Sequence, residues 1–218
     1  MRTEYDSLGQ YDVPKDALYG IHSIRAYNNF RISGVPVSDY PELVRALAMV
    51  KKAAAGANCK LGVLPKEKAT AIQNACDELL NGQHHKDFIV DMVQGGAGTS
   101  TNMNANAVIA NLALQKMGHE KGDYQHLHPN DDVNKSQSTN DVYPTALRLA
   151  ILLQMDGLTA EHQRLCDAFE AKACEFDGIG KVGRTQLQDA VAMTLGQEFR
   201  SFANTIEEDL ERLQEVSR

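Results

Sequence analysis

The chain has 218 residues, 43% of them hydrophobic, and its 22 Lys and Arg residues against 29 Asp and Glu residues give a formal net charge of −7. This balance argues against nucleic-acid binding, which depends on clustered basic side chains that neutralise phosphates. The longest uninterrupted apolar runs, residues 46–50 and 149–153, are far shorter than the roughly 20 residues that cross a bilayer. Residues 1–10 lack the apolar region of a signal peptide. We therefore expect a soluble, cytoplasmic protein with neither a nucleic-acid nor a membrane partner.

Residues that often hold metals or cofactors do not form a recognisable motif in this chain. The four cysteines lie at positions 59, 76, 166 and 174, and their spacing matches neither a zinc site nor a redox pair. His84-His85 and the histidines at 126 and 128 lack a third ligand at helical spacing. The glycines at 95–98 do not complete a dinucleotide fingerprint, and the chain has no P-loop sequence. The sequence therefore predicts no metal and no cofactor.

The first half of the chain changes character at Pro41. Residues 1–40 carry Gly and Pro at loop-like spacing, which predicts turns and at most short strands. Apolar residues at helical spacing then predict one helix from Pro41 to Gly62 and a second from about Pro65 to Gly82. A third helix is predicted over 102–117, directly after the glycine-rich stretch 94–101, so these glycines precede a helix N-terminus.

The second half combines one long polar segment with two helical patterns. Residues 118–142 are too long for a passive connection and indicate a functional loop. Pro144 opens a helical pattern that continues to about Glu175. A last helix is predicted from about Thr194, and no Gly, Asn or Pro ends its pattern before Arg218. We therefore expect the chain to end inside a helix.

These patterns predict a mainly α fold with a small N-terminal domain at 1–142. The first long helices of an incomplete helical bundle follow at 143–218. No alternating pattern supports a large sheet. Two amphipathic helices cannot bury their apolar stripes against each other alone, so we expect further helices from another subunit or from sequence outside this chain.

Three polar segments concentrate small hydroxyl and amide side chains beside a predicted helix start, at 98–102, 136–141 and 183–186. Each segment alone is as typical of a helix cap as of a binding site. Together, their neutral donors and the neighbouring helix N-termini can hold a dicarboxylate and stabilise a developing oxyanion. None of these groups removes a proton from carbon, and the sequence shows no obvious base.

The same segments resemble the signatures of the aspartase/fumarase superfamily. The stretches 128–141 and 183–190, the latter followed by 194–199, are long and specific matches, and 19–30 and 49–54 resemble the superfamily's N-terminal domain. The chain is most similar to aspartate ammonia-lyases, which reversibly eliminate ammonia from L-aspartate to give fumarate without an organic cofactor. A class II fumarase relative is the alternative.

Two positions favour the lyase over the fumarase. Fumarases usually carry His where this chain has Gln186, and Ser where it has Thr139. A hydratase must activate water, and His can accept the proton, whereas Gln only donates and accepts hydrogen bonds. The resemblance therefore implies a carbon-nitrogen lyase with a small dicarboxylate substrate.

The resemblance also implies roles for individual residues in the three polar segments. Thr99, Ser138 and Thr139 would bind the β-carboxylate of the substrate and stabilise its doubly negative aci form. Asn140 would contact the amino group. These positions match the superfamily's motifs directly.

The remaining implied contacts come from the third segment, at 183–186. Gln186 would contact the amino group together with Asn140, and Thr185 would bind the α-carboxylate. In the superfamily these groups hold the substrate, while the proton is removed by a serine on a separate loop. That Gly-Ser-Ser-x-Met-Pro-x-Lys-x-Asn loop does not occur in this chain.

A second dicarboxylate site of fumarases is matched by His128, Asn130 and Asp131. We favour a structural role for these three residues, because a polar loop needs such side chains for its turns. Ala107 and Ala192 depart from the superfamily, which usually has Glu and Pro at these positions.

The resemblance covers essentially all 218 residues but only about the first half of a superfamily member. Members are homotetramers in which three subunits build each active site. Three interpretations remain open. The chain is the N-terminal part of an aspartate ammonia-lyase, active only with its other half, or a fumarase relative, or a catalytically silent helical fragment that oligomerises.

Overall fold

The structure is a computed structural model that describes residues 1–217. The described residues fall into two compact units that divide between Ile151 and Leu152. Helices dominate both units and the sheets are small, which confirms the prediction of a mainly α fold. None of the described helices is long and apolar enough to cross a membrane. A domain boundary between residues 142 and 143 stays a prediction.

The first unit opens with a β-hairpin and a short helix. Strands β1 (Arg2–Asp6) and β2 (Gly9–Val13) pair antiparallel. Helix α1 (Ile21–Asn29) follows, and the prediction of only turns and short strands before residue 41 was therefore wrong at this point. The helix is nine residues long and buries only Ile21 and Ser23, so it carries no sustained apolar stripe from which it could be predicted.

Three longer helices form the core of the first unit, close to their predicted positions. They are α2 (Pro41–Lys60), α3 (Lys66–Leu80) and α4 (Thr99–Lys116). Pro41 is in the first turn of α2, where its fixed φ suits the helix and its missing N–H costs nothing. All residues of α4 from 104 to 114 are buried, which explains why its sequence shows no one-sided stripe.

The polar segment 118–142 is ordered around turns. Pro129–Val133 forms a π-helical turn, and the buried Leu127 and Val133 anchor the segment to the core. Helix α5 (Thr139–Glu175) then begins earlier than the predicted start at Pro144. Ser138 and Asp141 explain the earlier start, because the Ser138 N–H donates to the Asp141 carboxylate as in a capping box.

The second unit contains the rest of α5, a hairpin and a last helix. Strands β3 (Gly180–Thr185) and β4 (Gln188–Thr194) pair antiparallel, and helix α6 (Leu195–Val216) follows. The hairpin was not predicted, because its two-residue turn has neither Gly nor Asn. The predicted start of the last helix near Thr194 is confirmed.

Aromatic side chains contribute to the packing of the second unit. The rings of Phe169, Phe176 and Phe199 lie with centroids 5.2 to 5.9 Å apart in the contacting pairs, in the tilted and edge-on arrangements that aromatic pairs favour. Large apolar side chains nevertheless remain exposed in this unit considered by itself, among them Leu158 and Leu165. As predicted, the helices of this unit do not bury all of their apolar side chains against each other.

Candidate active site

The N-termini of α4 and α5 lie side by side in the first unit. Thr99 begins α4 and Thr139 begins α5. Asn102, one turn after Thr99, donates from Nδ2 to Thr139 Oγ1 at 3.1 Å. Gly98 is buried with φ +88°, and a Cβ atom there would overlap the ring of Tyr143. The structure therefore brings the first two polar segments together.

The side chains at these two helix starts are open to a ligand. Thr99, Ser138 and Asn140 are exposed, and the Thr99 hydroxyl donates to the Gly96 carbonyl at 2.6 Å. Ser138 Oγ accepts from the Asn140 N–H at 3.2 Å, so Ser138 caps α5. The helix dipole favours an anion at both starts. Two adjacent starts with hydroxyl side chains are chemically suited to a carboxylate.

A network of polar side chains, most of it buried, contacts both helix starts. Asn134 Oδ1 accepts from Lys51 Nζ at 2.8 Å and from Asn102 Nδ2 at 3.1 Å. Asn134 Nδ2 in turn donates to the Gln137 carbonyl at 3.1 Å. These contacts connect α2, α4 and the residues that precede α5. Buried networks rigidify the groups they hold to the extent that their members are paired, and Asn102 Oδ1 and Gln137 Oε1 have no partner among the described residues.

Lys51 is the unusual member of this network. Its side chain is fully buried on α2, and burial lowers its pKa to about 7, an effect partly opposed by electrostatic interactions with Cys76 and Asp141. No role was predicted for Lys51 from the sequence. A signal was available, because Lys51 is four residues from both Leu47 and Ala55, on the stripe that faces the core.

The third polar segment is at the tip of the β3–β4 hairpin in the second unit. Thr185 is opposite Gln188, and Gln186 and Leu187 form the two-residue turn between them. Both turn residues have positive φ, 53° and 63°, a backbone region that is unfavourable for residues other than Gly, Asn and Asp. The expected place beside a helix start was wrong, because the whole of β4 separates this tip from α6. Thr185 and Gln186 are exposed.

The residues of the possible second site form a turn of their own. His128 Nδ1 accepts from the backbone N–H groups of Asn130 and Asp131, each at 3.2 Å, so the imidazole caps the π-helical turn. A small cavity of about 40 Å³ is next to it, and Ala107 contributes to its wall. The capping geometry supports the structural role that we favoured, and a dicarboxylate contact stays a prediction.

Comparison with known proteins places this helical fold in a lyase class. A family model described as "Lyase" matches residues 9–218, and the chain belongs to that family. Among curated relatives, the aspartate ammonia-lyase of Pseudomonas aeruginosa is 62% identical over 216 residues, which are 99% of this chain and 46% of that protein. The chain therefore spans about half the length of the curated relatives it matches.

Two solved structures extend the comparison. The "fumarate lyase:delta crystallin from Brucella melitensis" has a TM-score of 0.95 and 59% identity, covering 100% of this chain and 49% of that one. The "class II fumarase from Schistosoma mansoni" has a TM-score of 0.86 and 35% identity, covering 96% of this chain and 44% of that one. The resemblance to the aspartase/fumarase superfamily is thus confirmed.

Proposed function

We propose that this chain is part of an enzyme that reversibly eliminates ammonia from L-aspartate to give fumarate. The observation that carries the proposal is the 62% identity to the Pseudomonas aspartate ammonia-lyase along 99% of the chain, against 35% to a class II fumarase. Gln186 agrees with this choice, because an amide cannot accept the proton that water must lose in a hydratase. No cofactor is needed for the proposed reaction.

The two adjacent helix starts fit the charge that develops in such an elimination. Loss of the C3 proton moves an electron pair toward the β-carboxylate, which becomes the doubly negative aci form. The pair then forms the C2–C3 double bond while the C2–N bond breaks and ammonia leaves. Thr99, Ser138 and Thr139 are at these starts and would stabilise the aci form with their hydroxyl groups and the helix dipole.

The other substrate contacts in this proposal are carried over from the superfamily, in which three subunits build each active site. Asn140 and Gln186 would hold the amino group, and Thr185 would bind the α-carboxylate. The proton would be removed by the serine of the superfamily's separate loop. Activity in this proposal therefore requires the part of the enzyme that is present in the relatives and that this chain does not span.

In this proposal the enzyme is a homotetramer and is located in the cytoplasm. Exposed apolar side chains on the helices and hairpin of the second unit support association with further helices. They include Leu152, Leu158, Leu165, Val191 and Phe202. Burial of such a surface between subunits is the usual way in which amphipathic helices complete a bundle.

The test is a chimera in which this chain replaces the matching part of the Pseudomonas enzyme. Fumarate is followed by its ultraviolet absorbance, with L-aspartate and L-malate as separate substrates. We expect fumarate from L-aspartate and none from L-malate, and no turnover by the chain alone. Turnover of L-malate instead would assign the chain to the fumarases. An assembled chimera that turns over neither substrate would indicate a catalytically silent chain.

A further inference from the structure

Two histidines and an aspartate come together in the segment that follows α4. We propose that His119, Asp123 and His126 bind a divalent transition-metal ion of the Zn²⁺ type. Asp123 Oδ2 lies 3.8 Å from His119 Nδ1 and 3.6 Å from His126 Nε2. The three donor atoms all lie within 4.8 Å of one another.

These separations are close to those of a bound ion. Four-coordinate zinc with bonds of 2.0–2.1 Å places neighbouring ligand atoms about 3.3 Å apart. The nitrogen–oxygen distances of 3.8 and 3.6 Å exceed that value by about 0.5 and about 0.3 Å, shifts that side-chain torsions can supply. The rings of His119 and His126 are stacked, with centroids 3.8 Å apart and planes inclined by 10°. A metal lies in the plane of each imidazole that binds it, so one ring must rotate, and His126 is the more exposed of the two.

The backbone that carries the three ligands is held in place. The Gly122 N–H donates to Oδ1 of the buried Asn111 at 2.8 Å. The His126 N–H donates to the Asp123 carbonyl at 3.1 Å, and Leu127 is fully buried. A fixed backbone lowers the entropic cost of bringing the ligands together.

The donor set selects the class of ion. Two imidazoles and one carboxylate suit Zn²⁺, Co²⁺, Ni²⁺ and Cu²⁺, whereas Mg²⁺ and Ca²⁺ require mainly oxygen ligands. Three protein ligands leave at least one coordination position for solvent or another small ligand, since His126 is exposed. This set was not predicted from the sequence, because His119 lies seven residues before His126, outside the His126–His128 pair.

The bound ion would connect the end of α4 to the segment that leads into the His128 turn. The bound ion would stabilise this segment, because a ligand that binds only the folded form raises the stability of that form. The three ligands are different residues from those assigned to L-aspartate. Metal binding and the proposed reaction can therefore fail independently of each other.

The experiment is a titration of the whole chain with Co²⁺ under reducing conditions, followed by visible absorption, and with Zn²⁺ by calorimetry. We expect one ion per chain and cobalt d–d bands without a thiolate charge-transfer band. Asp123→Asn and His126→Gln should each weaken binding at least tenfold, because even the loss of an outer-shell partner typically costs 10- to 100-fold. His84→Gln is the matched control, since His84 contacts a single carboxylate, that of Glu78, at 3.0 Å.

Three results would overturn the site. They are no binding by the wild-type chain up to millimolar metal, equal affinity in the triad variants and in His84→Gln, or a thiolate band that assigns the ion to cysteines. Circular dichroism of each variant establishes that the helices are retained. A rise of the unfolding temperature with Zn²⁺ in the wild type and not in His126→Gln would support the site independently.

Discussion

Lys51 Nζ donates a 2.8 Å hydrogen bond to Asn134 Oδ1, and the same oxygen accepts from Asn102. Asn102 also donates to the hydroxyl of Thr139. A continuous set of contacts therefore joins a fully buried amine on α2 to a hydroxyl that we assign to the substrate. Since burial lowers the pKa of Lys51 to about 7, the charge on this network changes near neutral pH.

Lys51→Met should remove a pH dependence of stability. The folded pKa of about 7 lies below the ordinary value of 10.5, so above pH 7 the unfolded chain binds a proton that the folded chain lacks. Stability then rises with pH, by at most about 1.4 kcal/mol for each pH unit. We expect urea unfolding between about pH 7 and 8.5 to show this rise in the wild type and a flatter profile in Lys51→Met.

Lys52→Met is the control for this measurement. Lys52 is the next residue on α2, and its partly exposed amine pairs with Asp77 at 2.5 Å. Its removal should leave the slope unchanged. The pH window stops near 8.5 because burial raises the pKa of the Cys76 thiol to about 12, which lowers stability as the unfolded thiol ionises. Equal slopes for Lys51→Met and the wild type would mean that Lys51 titrates normally.

Thr139→Ala should reduce the kcat of the chimera on L-aspartate by about 10²- to 10³-fold, the usual effect of removing one oxyanion donor. The fold should be retained, because Asn102 Nδ2 keeps its contact with Asn134 and the residue that caps α5 is Ser138. Thr139→Ser should preserve most of the rate. Thr145→Ala changes an exposed threonine of the same helix and should have no effect. A kcat within a few-fold of the parent chimera would refute the assigned role.

Most of the helices that could be predicted carry a regular apolar stripe. Helices α2 and α3 bury this stripe, and α6 has one that is only partly buried. Helix α1 and the β3–β4 hairpin are short and mostly exposed, and local sequence preferences for such elements are weak. Their conformations depend on tertiary contacts that a single sequence does not reveal.

The candidate site, too, could be predicted only in part from the sequence. The residue types at Thr99 and at 138–140 could be singled out from their hydroxyl and amide content. Their adjacency could not, because it depends on a contact between α4 and α5, at Asn102 and Thr139, across 37 positions of sequence. The positive φ of Gln186 could not be predicted either, since the turn contains no Gly, Asn or Asp, the residues that favour this conformation.

Gly98→Ala should separate the starts of α4 and α5. The added methyl group would overlap the ring of Tyr143, and the φ of +88° is itself unfavourable for Ala. We expect the free energy of unfolding to fall by about 2–4 kcal/mol, the sum of the conformational cost and the overpacking cost. Activity of the chimera should fall together with stability.

Gly82→Ala isolates the conformational part of this effect. Gly82 has a similar φ of +81°, and a Cβ atom there would meet nothing within 4 Å. This variant should lose only about 1 kcal/mol and should keep its activity. If urea unfolding gave the same loss for both variants, the contact between Gly98 and Tyr143 would not hold the two helix starts together.

Gln186→Asn and Leu187→Gly should both stabilise the β3–β4 hairpin. Two positive φ values in a two-residue turn are typical of type I′, which favours Asn followed by Gly. Each change should raise the free energy of unfolding by about 0.5–1 kcal/mol, since it relieves an unfavourable backbone conformation. Only Gln186→Asn should impair the chimera, because its amide is one methylene shorter and no longer reaches the substrate amino group.

Urea unfolding of the chain and kcat/KM of the chimera for L-aspartate separate these two effects. Leu187 is fully exposed at the turn, so Leu187→Gly should change stability and leave kcat/KM intact. Misplacement of a substrate contact by about 1 Å can cost 10²-fold, which is the loss expected for Gln186→Asn. If Gln186→Asn instead gained stability and kept kcat/KM within a few-fold, the strained backbone at Gln186 would serve only the turn and its contact with the amino group would be refuted.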